Sequence, residues 1–166
     1  MLVLIMKSKT KFNLAKLLFC ILITEGAGIV GSIATASSVK SWYLTDLVKP
    51  TFNPPSWVFG PVWIFLFLLM GIALYLVWNK KNNLFWFWTQ LILNTLWSFL
   101  FFGLRSPALA FYEIVILWLA ILITIVKFWK INKTASILLW PYLVWVSFAL
   151  FLNKVIVTIN YTTMIQ

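Results

Sequence analysis

The sequence predicts an all-α integral membrane protein, a bundle of five transmembrane helices. Three observations carry this. Of 166 residues, 63% are hydrophobic and 10% charged, whereas soluble chains carry about a quarter charged residues. The apolar residues come in runs of about 20, long enough for a helix to cross hydrocarbon, and not in the alternation of a membrane β-barrel. The basic residues, which give a formal net charge of +10, lie between those runs. There they read as topology determinants, so no nucleic-acid partner is expected.

The first helix is expected at about residues 14–37. Lys7, Lys9, Lys11 and Lys16 precede it, and with Ala34-Thr35-Ala36 they mimic a secretory signal. The long apolar run makes a membrane helix the better reading. Its small residues recur as Ala27/Gly31/Thr35 and Gly28/Ser32/Ala36. Four-residue spacing puts each set on one face, where another helix can approach closely, including one from a second copy.

Helix 2, about residues 57–78, follows the stretch Lys49-Pro50-Thr51-Phe52-Asn53-Pro54-Pro55-Ser56. Proline fixes φ and donates no backbone hydrogen bond, so this lead-in is extended and stiff, a candidate lid. Ser56 caps the helix, or Pro55 is its first residue. Asn79 to Asn83, with Lys80 and Lys81, close it. Helix 3 is expected at about residues 84–102 and is stopped by Gly103. Helix 4, about residues 107–129, has Ser106 as its cap and Pro107 at the first position. After a basic turn over Lys130 to Lys133, helix 5 covers about residues 134–158. Pro141 within it predicts a kink or loosened turn near Ile137. The whole chain is one domain, and no internal repeat is evident.

Five helices put the termini on opposite sides. Nine basic residues lie on the N-terminal side and four (Lys40, Lys49, Arg105, Lys154) on the other. This bias places the N-terminus in the cytoplasm or its equivalent.

Conventional catalysis has little to draw on. There is no histidine, and the acids are Glu25, Asp46 and Glu113 alone. No paired acids, nucleophile–base set or metal-ligand cluster can be assembled, so neither a metal site nor a required cofactor is expected. Cys20 stands alone in an apolar run and tells nothing of redox compartment. Glu113, seven residues into helix 4, could reach an interface. Glu25, near the middle of helix 1, is a functional candidate or the partner of a polar group.

Aromatic residues are abundant instead, with 11 Trp, 15 Phe and 5 Tyr. Trp57, Trp78, Trp86, Trp129 and Trp140 lie near helix ends and read as interfacial anchors. Phe59, Trp63 and Phe67 share one face of helix 2, Gln90, Asn94, Trp97 and Phe101 one face of helix 3, and Tyr142, Trp145 and Ala149 one face of helix 5. Such faces suit a flat, largely apolar ligand. Spacing alone leaves Trp63, Trp97 and Trp145 divided between lipid-facing packing and a cavity. Asn94, deep in an apolar run, needs a hydrogen-bond partner, and another helix is a slightly better source than a ligand.

The string Lys49-Pro50-Thr51-Phe52-Asn53-Pro54-Pro55-Ser56-Trp57-Val58-Phe59-Gly60-Pro61-Val62-Trp63 resembles the translocator protein family, also called the tryptophan-rich sensory proteins. Two further blocks match: Leu93-Asn94-Thr95-Leu96-Trp97-Ser98 with Phe101-Phe102-Gly103, and Pro141-Tyr142-Leu143-Val144-Trp145 with Phe148-Ala149 and Leu152-Asn153. One spacing departs: Trp42-Tyr43 stands one residue further from Lys49-Pro50 than is usual in the family. The resemblance implies a five-helix membrane protein, commonly a homodimer, in a bacterial cell membrane or an organelle outer membrane. It implies a ligand, not a cofactor: protoporphyrin IX, haem or another flat hydrophobic small molecule. By motif position the cavity would be lined by Phe59, Trp63, Asn94, Trp97, Trp145 and Ala149, with Pro50 and Phe52 in a lid over it. The implied role is sensor or regulator of tetrapyrrole or oxidative stress; a tetrapyrrole transporter or receptor is an alternative. Light-dependent porphyrin breakdown, with Trp63 and Trp145 as the catalytic groups, is another. Leu109 stands where the family often has a further tryptophan. The animal proteins' sterol motif does not carry over, because Lys154 and Thr158 stand at its tyrosine and arginine positions.

The charge bias yields a test. Single cysteines at positions 49 and 80, probed with an impermeant thiol reagent in oriented vesicles, should label from opposite sides. Labelling from the same side would contradict the five-helix scheme.

Overall fold

The computed structural model describes residues 12–78 and 84–163, with the side chains of 162 and 163 left out. The expected N-terminal lysines 7, 9 and 11 and the Asn79–Asn83 turn lie outside the described residues. Five helical spans are long and apolar enough to cross a membrane, and no strand occurs among the described residues.

Helix α1, Leu14–Ser38, opens on Asn13, whose side chain accepts the Lys16 N–H at 3.0 Å, and runs on through a π-helical turn, Val39–Tyr43. Helix α2, Ser56–Trp78, passes unbroken through Pro61. The carbonyl that Pro61 leaves unpaired lies in the first turn, where one lost bond is easily tolerated. Helix α3, Phe85–Ser98, also continues into a π-helical turn, Phe99–Gly103. Gly103 does not end it as a left-handed cap: the positive φ in this corner, 50°, belongs to Arg105. The wide π-turn has already spent the last carbonyls, with Leu104 N–H donating to Phe99 and Ser106 N–H to Leu100. Helix α4, Pro107–Ile131, starts on the Ser106 cap.

The basic turn expected after α4 contracts to the single residue Asn132. It ends α4 and caps the short helix α5, Lys133–Ile137, by accepting the Ala135 N–H at 3.2 Å. Helix α6, Trp140–Thr163, follows. The break between α5 and α6 is where Pro141 predicts it, since proline cannot donate to the Ile137 carbonyl.

In hydrocarbon, helices gain little from burying apolar surface against one another, so close packing and hydrogen bonds hold the bundle. Gly71 of α2 abuts α1: a Cβ there would lie 2.7 Å from the Ile21 Cα. Beside it, the Thr24 hydroxyl donates to the Phe67 carbonyl at 2.8 Å. Thr95 of α3 donates to the Ala27 carbonyl of α1 at 3.2 Å, and Trp118 of α4 to Ser147 of α6 at 2.8 Å. Met70, Leu74, Phe87, Ile121, Leu139 and Tyr142 form the centre of the core. That core lies toward the N-terminal end of the bundle. Toward the loop that joins α1 and α2, the helices leave a space.

Two of the small residues foreseen on α1 are used within the chain, while Ser32 and Ala36 are exposed. Gly28 lets the Phe67 ring lie against the α1 backbone, and a Cβ at Gly31 would meet the Ser98 hydroxyl at 3.2 Å.

Gly71→Ala should therefore push α1 and α2 apart and cost about 1–3 kcal/mol. Gly60→Ala, where no heavy atom lies within 4 Å of the new Cβ, should stay within about 0.5 kcal/mol of wild type. Unfolding of the detergent-solubilised variants compares them, and equal stabilities would contradict this packing.

Candidate functional site

Four helices, α1, α2, α3 and α6, enclose a cavity of about 420 Å³, with Tyr43 and Ser56 at its loop end. Each wall follows from helical spacing. On α2, Phe59, Trp63 and Phe67 recur every fourth residue and face inward together; on α6, Trp145, Ala149 and Asn153 do the same. On α3, Asn94, Trp97, Ser98 and Phe101 supply the wall. On α1, Gly28 and Gly31 take part by filling nothing.

The rings are braced against one another. Phe59 meets Trp145 edge-on at 5.9 Å, and Trp63 meets Tyr142 at 6.2 Å, so aromatic contacts bridge α2 to α6. Trp97 stacks on Phe101 at 5.0 Å with 23° between planes. The Trp97 Nε1–H donates to Asn153 Oδ1 at 3.4 Å, and Asn153 Nδ2 donates to the Pro107 carbonyl at 2.9 Å. Asn94 Nδ2 donates to the Tyr142 hydroxyl at 2.9 Å. Another helix thus satisfies Asn94, as an amide in hydrocarbon requires, while its residue still faces the cavity. The Trp145 Nε1–H is buried and has no partner among the described residues.

Six of the eight expected ligand-binding positions, Phe59, Trp63, Asn94, Trp97, Trp145 and Ala149, line this one cavity. Pro50 and Phe52 do not. The Pro50 carbonyl accepts the Asn53 N–H in a turn, and Phe52 stacks on Phe151 at 5.6 Å. Their loop is fastened down. Lys49 Nζ donates to the carbonyls of Tyr43 and Leu47, the Tyr43 hydroxyl donates to Asn53 Oδ1 at 3.1 Å, and Asn160 of α6 pairs with both backbone groups of Val48. After Trp42-Tyr43 the chain makes a wide turn, in which the N–H groups of both Asp46 and Leu47 donate to the Trp42 carbonyl. Tyr43 stays buried, and Trp42 packs edge-on against Phe101 at 5.7 Å.

Two residues differ from expectation or extend it. Glu113 does not reach an interface: it is 6% exposed, and neither carboxyl oxygen has a partner among the described residues. Gln90, on the α3 face assigned to a ligand, is buried and does not line the cavity, and its amide is unpartnered among the described residues. Glu25 does line the cavity. The α1 contribution was missed because small residues signal close approach and open space alike, and only the neighbouring helices decide which.

The TspO/MBR family model matches residues 20–159, which takes in all four cavity walls. The chain belongs to the TspO/MBR family. It is 45% identical to the tryptophan-rich protein TspO of Chlorobaculum tepidum over 151 residues, 87% of this chain and 95% of that one. The protein of the same name from Archaeoglobus fulgidus is also 45% identical, over 89% of this chain and 99% of its own. The human translocator protein is 36% identical over 75% of this chain and 78% of its own. As a TspO/MBR member with five membrane-crossing helices, this is an integral membrane protein.

Tyr142→Phe removes the hydroxyl that accepts from Asn94 and leaves a polar amide without its partner. Stability should fall by about 1–3 kcal/mol, measured by unfolding in detergent; an unchanged value would show that this bond does not hold α3 to α6.

Proposed function

We propose that this cavity binds protoporphyrin IX, haem or similar flat hydrophobic ligands, and that the protein acts as a sensor or regulator of tetrapyrrole or oxidative stress. The observation that supports the reading is the convergence of Phe59, Trp63, Trp97 and Trp145 on a single cavity of about 420 Å³, within the size range of about 300–1,000 Å³ usual for small-molecule sites. Rings on opposite walls can take a flat ligand between them, each stacked pair adding about 0.5–1.5 kcal/mol beyond area burial. Propionates would point to the loop end, where Lys49 supplies the nearby positive charge. The same reading sets the protein in a bacterial cell membrane as a homodimer, with its N-terminus in the cytoplasm.

A second reading has its own support. Trp63 and Trp145 face the same cavity, and the Trp145 Nε1–H is free of hydrogen bonds among the described residues. Indoles so placed can give an electron to a photoexcited porphyrin, the start of light-dependent breakdown.

Replacing both Trp63 and Trp145 with Ala should weaken protoporphyrin binding about 10- to 100-fold, from two lost contacts of about 1 kcal/mol each. Titration followed by the Soret band measures it. A folded double variant that binds as tightly as wild type would put the ligand elsewhere. Trp145→Phe should keep most of the affinity while porphyrin loss under light falls sharply, since phenyl is much harder to oxidise than indole.

A further inference from the structure

Glu25 is the acidic side chain among the cavity-lining residues, and the tetrapyrrole reading gives it no task. It shares a face of α1 with Gly28, Ile29 and Ser32, which also line the cavity. Neither a hydrogen bond nor a neighbouring charge is found for Glu25 among the described residues. A carboxyl group at this depth in a membrane is expensive and is normally kept for a partner. None of the packing explains it: α1 would cross the bilayer as well with an apolar residue there.

The surroundings say which partner fits. One turn along, the Phe67 ring lies against Gly28, and Phe67 in turn leans on Trp63 at 5.6 Å. A cavity lined by both a carboxylate and aromatic rings can hold an ammonium group, by a charge-assisted hydrogen bond to the one and cation–π attraction to the other. In the loop beyond the other end of the cavity the charge has the opposite sign. There Lys49 Nζ sits 5.0 Å from the centre of the Tyr43 ring. Along α1, Glu25 lies about 27 Å from Tyr43 at 1.5 Å per residue. A protoporphyrin anchored by its propionates near Lys49 would turn an apolar edge toward Glu25.

We propose that Glu25 is the anchor of a cation subsite at the deep end of the cavity, which takes the protonated amine of an aromatic or aliphatic amphiphile. This rests on the reading of the cavity as a ligand site and names a second class of ligand for it. Glu25 stands near residues that also face the bilayer, Ile29 and Ser32 on α1 and Ile64 on α2, all exposed. An amphiphile can therefore reach it from the lipid phase, where such amines accumulate.

The test uses 4-(1-pyrenyl)butylamine and its neutral N-acetyl derivative, with the full-length protein in phosphatidylcholine nanodiscs. Binding is read as energy transfer from tryptophan to pyrene, corrected with empty discs. Wild type should bind the amine about tenfold more tightly than the amide, the value of one charge-assisted hydrogen bond. Glu25→Gln should weaken the amine until the ratio is about one, and Glu25→Asp, which keeps the charge, should restore most of the preference. No preference in wild type, or a preference that survives Glu25→Gln, overturns the inference. If the amide binds and is lost with Trp63→Ala plus Trp145→Ala while the ratio is one, the cation subsite alone is wrong. If that double variant leaves both compounds bound as before, the cavity reading falls with it.

Discussion

The close approach of α1 to α2 and α3 is the constraint on which the rest of the structure depends. It is made by residues with almost no side chain. A Cβ at Gly71 would lie 2.7 Å from the Ile21 Cα, and one at Gly31 would lie 3.2 Å from the Ser98 hydroxyl. Around these contacts, Thr24 and Thr95 lend hydroxyl groups to carbonyls of the neighbouring helix. Between helices in lipid, such contacts take the place of the hydrophobic effect. With α1 held here, α2 and α6 are bridged at cavity level by rings, Phe59 on Trp145 and Trp63 on Tyr142. The cavity is the space left between them.

The same walls have to satisfy their polar groups without water. Asn94 does so on Tyr142, and Asn153 serves two helices, accepting from Trp97 and donating to the Pro107 carbonyl. These bonds lie between cavity and core and keep the aromatic walls in fixed orientations. Buried groups left unpaired among the described residues are few: the Gln90 amide, the Glu113 carboxyl and the Trp145 Nε1–H. Each costs the fold something. Of the three residues, only Trp145 borders the cavity, where a ligand could supply the missing acceptor.

The five helices were legible because lipid imposes a strict length and composition on whatever crosses it. Ser106-Pro107 and Pro141 marked boundaries to within a residue or so, since capping and a missing donor act locally. Gly103 marks the end of the third span as expected, but not through a left-handed cap. How a helix ends depends on how its last carbonyls are spent, and here a π-turn spends them before glycine is needed. The inward faces of α2, α3 and α6 could be read from four-residue spacing, which is why six predicted residues meet at one cavity. Spacing says nothing of depth, however. Gln90 shares the Asn94 face but does not line the cavity, and Phe52, in the loop, stacks on Phe151. Glu113 escaped because position along a helix does not reveal the direction in which its side chain points.

The central claim is that a flat ligand lies among Trp63, Trp97 and Trp145 while other tryptophans serve as membrane anchors. Labelling all 11 tryptophans with 5-fluorotryptophan gives one fluorine resonance for each, assignable by single Trp→Phe changes in nanodiscs. Adding protoporphyrin IX should shift or broaden the signals of Trp63, Trp97 and Trp145, and leave those of Trp57, Trp129 and Trp140 where they were. Perturbation of the anchors with those three cavity signals unmoved would contradict the account.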